Sequence, residues 1–153
     1  MAKTRLLRGE CYCRKTGYEV ADEFRYAANC HCRDCRRTTG SAFKSFARIR
    51  RDLLYEPPLA DLLLIGQEPN FHATCRHCGS LLYSIVNDGA HAHVAMGTLV
   101  DEPSIRPSEH IFVGSKADWF TITDGLPQHR RFPGEEQAIT PPAPPARRDH
   151  RPA

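Results

Sequence analysis

Apolar and polar positions alternate over short runs along the chain, and no stretch holds a helical period for long, which predicts a mostly β fold. Strands are expected at 6–12, within 18–26, ahead of Cys30, and at 43–49, 71–75, 81–86 and 91–96. The last two flank Asn87-Asp88-Gly89, a strong hairpin signal. Shorter strands are expected at 111–113 and 119–122, with Trp119 and Phe120 in the core. Residues 36–41 read as a turn or a single helical turn ending at Gly40. Pro57-Pro58 breaks any helix. Residues 59–65 fit a buried strand or a short helix, because periodicity does not separate the two at that length.

From Phe132 the composition shifts, and Pro141-Pro142-Ala143-Pro144-Pro145 supplies few ladder donors and little to bury. The chain therefore divides into one folded domain, 1–133, and a Pro/Arg-rich tail, 134–153, expected to be extended or disordered. Hydrophobic residues at 41% and charged residues at 25% are an ordinary globular balance, enough to build a core. No apolar run approaches the ~18–20 residues a membrane span needs. Lys3, Arg5 and Arg8 are followed by no apolar signal-peptide region. A cytoplasmic location without membrane contact is the expectation. The formal charge of +3 is too mild to argue for nucleic acid.

The cysteines change the picture. There are 7, an odd number, set as C-x-C at 11/13, C-x-C-x-x-C at 30/32/35 and C-x-x-C at 75/78. Without an export signal, such spacing reads as metal ligation or catalysis before disulfides. A closed zinc site takes four ligands, commonly as two local pairs. Cys11, Cys13, Cys75 and Cys78 meet that requirement, with the first pair placed on one face of its strand. Gly79 lets the chain turn back after Cys78. Cys30, Cys32 and Cys35 remain as three thiolates, the pattern of a catalytic zinc with an exchangeable fourth position. Other partitions stay open: Cys30 and Cys32 joined to Cys75 and Cys78, closure of the second group by His31 or His72, or seven inert core thiols.

Gly9-Glu10-Cys11-Tyr12-Cys13, the run from Cys30 through Thr39-Gly40-Ser41-Ala42-Phe43, and Cys75-Arg76-His77-Cys78-Gly79-Ser80 resemble the glutathione-dependent formaldehyde-activating enzyme family. Gly97-Thr98-Leu99, Asp101, His110, Ser115-Lys116, Trp119 and Asp124-Gly125-Leu126-Pro127 resemble its closing stretch, extending the likeness over about residues 8–133. The resemblance implies an Mss4-like complex fold of small antiparallel sheets held by zinc. It implies a structural zinc at Cys11, Cys13, Cys75 and Cys78 and a catalytic-type zinc at Cys30, Cys32 and Cys35, two ions per chain with the second open to lability. It further implies a carbon–sulfur lyase-type activity like S-(hydroxymethyl)glutathione synthase, joining formaldehyde to glutathione, the leading candidate for a small-molecule thiol partner. Arg14-Lys15-Thr16 and Leu81 depart from the usual family residues, both at scaffold positions, and 52–70 carries no family motif.

Arg33, Arg36 and Arg37 stand beside the three-thiol motif and suit a carboxylate clamp, although arginines in a loop are as readily solvated surface charges. Asp34 fits a turn former or cap better than a base. His91 and His93 share a strand face, as proton shuttles or as an ordinary half-exposed face. No Ser/His/Asp arrangement, phosphate loop or dinucleotide fingerprint is visible. Two other functions remain: a zinc-stabilised module for nucleic acid or protein, using Arg33, Arg36, Arg37 and Arg147, Arg148 and Arg151, and a thiol-redox or zinc-responsive protein. The basic residues are few and show no interleaving with exposed aromatics, which weighs against nucleic acid.

Overall fold

The computed structural model describes residues 3–134. The Pro/Arg-rich tail expected at 134–153 lies, from residue 135 on, outside the described residues. The strands are β1 (Leu6–Glu10), β2 (Gly17–Ala21), β3 (Tyr26–Cys30), β4 (Lys44–Arg50), β5 (Leu54–Tyr55), β6 (Leu62–Gln67), β7 (Asn70–Cys75), β8 (Leu81–Val86), β9 (His91–Ala95) and β10 (His110–Ile111). A single α-helix among the described residues, α1 (Arg33–Thr39), follows β3. Two sheets result: a three-stranded one, β1-β2-β5, and a seven-stranded one, β10-β3-β4-β9-β8-β7-β6. Their pairings are antiparallel except β10 with β3, which is parallel, so the larger sheet is mixed rather than purely antiparallel.

The register gives the larger sheet two unlike faces. Residues paired directly across antiparallel strands point to the same side, and side chains alternate along each strand. One face carries Ile49, Val94, Ile85, Ala73 and Leu62, all buried at 2% exposure or less. It joins Leu7, Tyr18 and Val20 of the small sheet in the main core. Burying each large apolar side chain there contributes ~1.5–3 kcal/mol. The opposite face carries Ala28 and Cys30 of β3, Lys44 and Phe46 of β4, His93 of β9, Ser84 of β8 and His72 of β7. Ala28, Cys30, Phe46 and Ile111 form a second, smaller core there, flanked by Cys32 and Cys35. Structure is thus concentrated on one face and polar chemistry on the other.

Several expectations are refined. The 59–65 stretch is neither alternative alone: a 3-10 turn at Leu59–Asp61 leads into β6. The helix begins at Arg33, three residues ahead of the expected turn, and closes at Gly40, which takes φ 63° in the left-handed region. No strand forms at 119–122, and Trp119 is 72% exposed rather than core. Phe120 is half-buried against Phe43 and His31.

Candidate metal centres

Two knuckles bring the first four thiols together. Cys11 and Cys13 do not lie on a strand face: β1 ends at Glu10, and both sit in a turn where the Arg14 amide donates to the Cys11 carbonyl at 3.1 Å. Arg14 accepts φ 65° to close that turn. In the second knuckle, β7 ends at Cys75, the Gly79 amide donates to its carbonyl at 2.8 Å, and Gly79 has φ 78°. The knuckles are pinned together where the Tyr12 amide donates to Ser80 Oγ at 3.0 Å and where Thr16 Oγ1 meets Cys75 Sγ at 3.1 Å. All four sulfurs lie within 4.8 Å of one another, with Cys11–Cys13 at 3.5 Å and Cys13–Cys75 at 3.9 Å. A tetrahedron of sulfurs at ~2.3 Å from a zinc has edges of ~3.8 Å, so this donor set fits such an ion. The Cys78 thiol is held down to about 5 by the Ser80 hydroxyl and by the amides of Ser80 and Cys13, which favour the thiolate that a metal requires.

The remaining thiols converge independently. Cys30 ends β3, Cys32 caps α1 and Cys35 lies in its first turn, and their sulfurs fall within 4.8 Å of one another. The Cys35 amide donates to Cys32 Sγ at 3.3 Å, so a sulfur does what a serine or aspartate oxygen does at other helix starts. Cys32 is pulled down to about 2, because the Cys30 and Cys35 thiols donate to it and the Cys35 and Asp34 amides add theirs. The same contacts, with burial, push Cys30 up. The helix start thus favours the thiolate at Cys32, with the other two thiols in contact with it. Two clusters can therefore hold metal ions, one with four ligands and one with three.

Neither histidine considered as a fourth ligand joins the group. His31 is fully buried and turns away: its Nε2 meets His110 Nδ1 at 2.8 Å, and His110 Nε2 meets Asp124 Oδ2 at 2.8 Å. The carboxylate accepts from His110, which accepts from His31, leaving His31 Nδ1 as a bare acceptor with no hydrogen-bond partner. Burial first, and then His110, Lys116 and Arg36, hold His31 down to about 4. His72 Nδ1 bonds instead to Ser84 Oγ at 2.7 Å. His91 and His93 do share a face, opposite Arg50 and Arg48. His93 stacks on Phe46 with centroids 4.1 Å apart and is held down to about 3 by burial, then by Lys44, Arg48 and His91.

Along α1, the helix that carries Cys35, lies a cleft of about 400 Å³ lined by Arg33, Arg36, Arg37, Gly40, Ser41 and Trp119, with none of the three thiols in its lining. Arg36 is tied into the fold, its Nη1 donating to the Ser115 carbonyl at 2.9 Å. Arg33 and Arg37 are exposed. Trp119 supplies an exposed aromatic beside the basic residues, contrary to the separation read from the sequence. Asp34 is exposed in the first turn of α1.

The mixed β scaffold and its two thiol clusters define a protein able to hold metal on cysteine. The chain belongs to the glutathione-dependent formaldehyde-activating enzyme family, whose profile matches residues 6–115. The match includes all seven cysteines and ends ahead of Trp119 and Asp124, which carry part of the resemblance in the closing stretch. The crystal structure of a Rhodobacter sphaeroides protein, a structural-genomics target, is similar at 25% identity and a TM-score of 0.51, over 63% of this chain and 91% of that one. No curated protein matches the chain. No helix among the described residues is long and apolar enough to cross a membrane.

Proposed function

We propose that the protein is a zinc-dependent enzyme of carbon–sulfur lyase type that joins a small thiol to an aldehyde, with glutathione and formaldehyde as the substrates its family suggests. The observation that carries this reading is the contrast between a four-thiol group and a three-thiol group, the latter capped by a helix whose arginines line a cleft. Cys11, Cys13, Cys75 and Cys78 hold a structural zinc, and Cys30, Cys32 and Cys35 hold a second, exchangeable one, in a scaffold of the Mss4-like kind. Bound to three thiolates, zinc would offer an open position at which a substrate thiol becomes a thiolate near neutral pH.

The chain's own residues do the rest. The Cys35 and Asp34 amides and the neighbouring thiols favour the thiolate at Cys32, the form that metal capture requires. Arg33 and Arg37 orient the two carboxylates of glutathione by paired N–H donors, with Arg36 stiffening the helix that carries them. Trp119 covers one side of the cleft. In the reaction the sulfur lone pair forms the new bond to the aldehyde carbon, the carbonyl π electrons move to oxygen, and that oxygen takes up one proton, equal to the one the thiol gave up.

Zinc analysis and calorimetric titration test the reading together. Two zincs per chain, heat on adding millimolar glutathione, and S-hydroxymethylglutathione formed faster than in buffer are the expected results. One tightly bound zinc with no glutathione heat would sink it.

A further inference from the structure

Lys44 opens β4 and is only 4% exposed, an unusual place for an ammonium. It pairs directly with Cys30 across the β3–β4 ladder, so the two side chains leave the same face of the sheet with Cβ atoms ~4.5–5.5 Å apart. Its Nζ donates to Ser84 Oγ at 3.2 Å and lies 5.9 Å from the Phe46 ring centroid. With its lone pairs facing Lys44, the Ser84 hydroxyl donates onward to His72 Nδ1 at 2.7 Å. No carboxylate among the described residues forms an ion pair with Lys44; their ion pairs engage other groups. A buried charge without a counter-ion costs several kcal/mol, so a compensating anion must be near.

Among the groups around Lys44, the Asp34 carboxylate is felt at His72 but is exposed in the first turn of α1 and forms no ion pair with Lys44. His72 and His93 are driven toward their neutral forms by burial and then by the Lys44 charge, so neither is an anion. Arg48, on the same strand face, is a second cation. The group that shares this sheet face is the three-thiol cluster: Cys30 is the cross-strand partner of Lys44, and the Lys44 charge is felt at Cys35.

We propose that Lys44 is the built-in counter-charge of the three-thiol centre, a positioning residue whose ammonium, fixed by Ser84, balances the thiolates of Cys30, Cys32 and Cys35. Three thiolates around a divalent ion leave one net negative charge, and a single ammonium cancels it. The inference rests on the reading of this cluster as a metal centre. Neither the cysteine spacing nor the cleft involves Lys44, and its role is to raise the affinity of a three-ligand site that would otherwise release its ion readily.

The test is a zinc competition titration of the whole chain against a chromophoric chelator, comparing wild type with Lys44→Met, Lys44→Gln and Lys44→Arg. Wild type should take up two zincs. The two neutral variants should hold the first zinc unchanged and bind the second ~10–100-fold more weakly, the usual effect of losing a group that supports metal ligands. Lys44→Arg should recover most of the loss, which removal of a purely packing role would not predict. Equal affinity for the second zinc in wild type and in either folded neutral variant overturns the Lys44 proposal alone. A wild type that binds only one zinc overturns the metal reading and this proposal with it. Unfolding of both neutral variants while Lys44→Arg stays folded would make Lys44 a folding residue and also refute the assignment.

Discussion

Cys32 has two duties, and they predict its replacement. Its sulfur caps α1 and contributes to the three-thiol cluster. Serine is an equally good cap, so Cys32→Ser should keep the helix and the fold while losing or weakening one of two zincs. Cys11→Ser should lose a zinc and most of the stability together; equal unfolding of the two variants, followed by circular dichroism, would make the second site structural. In the cleft, Arg33→Ala, Arg37→Ala and Trp119→Ala alter exposed side chains, so stability should move by less than about 0.5 kcal/mol. The glutathione dissociation constant, read by calorimetry, should rise about 5–10-fold for each arginine if it makes a charge-assisted bond to a carboxylate. At this scale the thiols were legible because their spacing favours one group of four and one of three, while the choice against Cys30 and Cys32 joining Cys75 and Cys78 needed the folded positions of the sulfurs. Lys44 was not, because a lysine at the start of a strand looks like an exposed end until the register sets it opposite Cys30. Trp119 misled for the opposite reason: an aromatic residue predicts burial, and here it lines a cleft.

At the scale of elements, β8 and β9 were readable from alternation and the hairpin signal between them. The two-residue β10 was nearly invisible, since its strand exists only through parallel pairing to β3, about 80 positions away in sequence, and through His110. His110 Nδ1 accepts from a fully buried His31, so His110→Ala should cost about 2–4 kcal/mol by urea denaturation, the sum of a cavity and an orphaned N–H. Asp124→Asn, at a half-exposed carboxylate, should cost about 1 kcal/mol or less. The sheet face beside the centre has its own pH signature. His93 titrates near 6.5 when unfolded and is held down to about 3 in the fold, so its contribution to stability is complete above pH 6.5 and is lost as pH falls toward 3. His93→Gln should therefore lose less stability than wild type between pH 6.5 and 4, by on the order of 1–2 kcal/mol, in parallel denaturation series at fixed zinc. Identical slopes would show that His93 is not held neutral.

The whole molecule divides its labour between the two faces of one sheet. The inner face joins the small sheet in a common core and reaches Cys11 and Cys75. The outer face holds the three thiols, Lys44 and the histidines. This division was only half legible: a mostly β chain with two thiol groups could be read directly, but the face each group occupies depends on strand order, which no local pattern carries. It predicts separable responses to a chelator. An ion held by only three thiols should leave first with little change in ellipticity, and removal of a four-thiol ion should then lower the melting temperature by roughly 10 °C or more.

The division has a consequence in time. The four-thiol site joins sulfurs 62 positions apart in sequence at Cys13 and Cys75, whereas the three-thiol group spans only Cys30 to Cys35. A chain made from its N-terminus therefore emerges from the ribosome with the smaller ligand set complete long before the larger one. The site with fewer ligands can meet an ion first, while Cys11 and Cys13 still wait for the second knuckle. Closing that long loop in the finished chain is worth about 4 kcal/mol on the chain-entropy account of cross-links. Metal loading of the two clusters would thus fall at two moments of synthesis: early at the three-thiol group, and late at the clasp that joins the two knuckles.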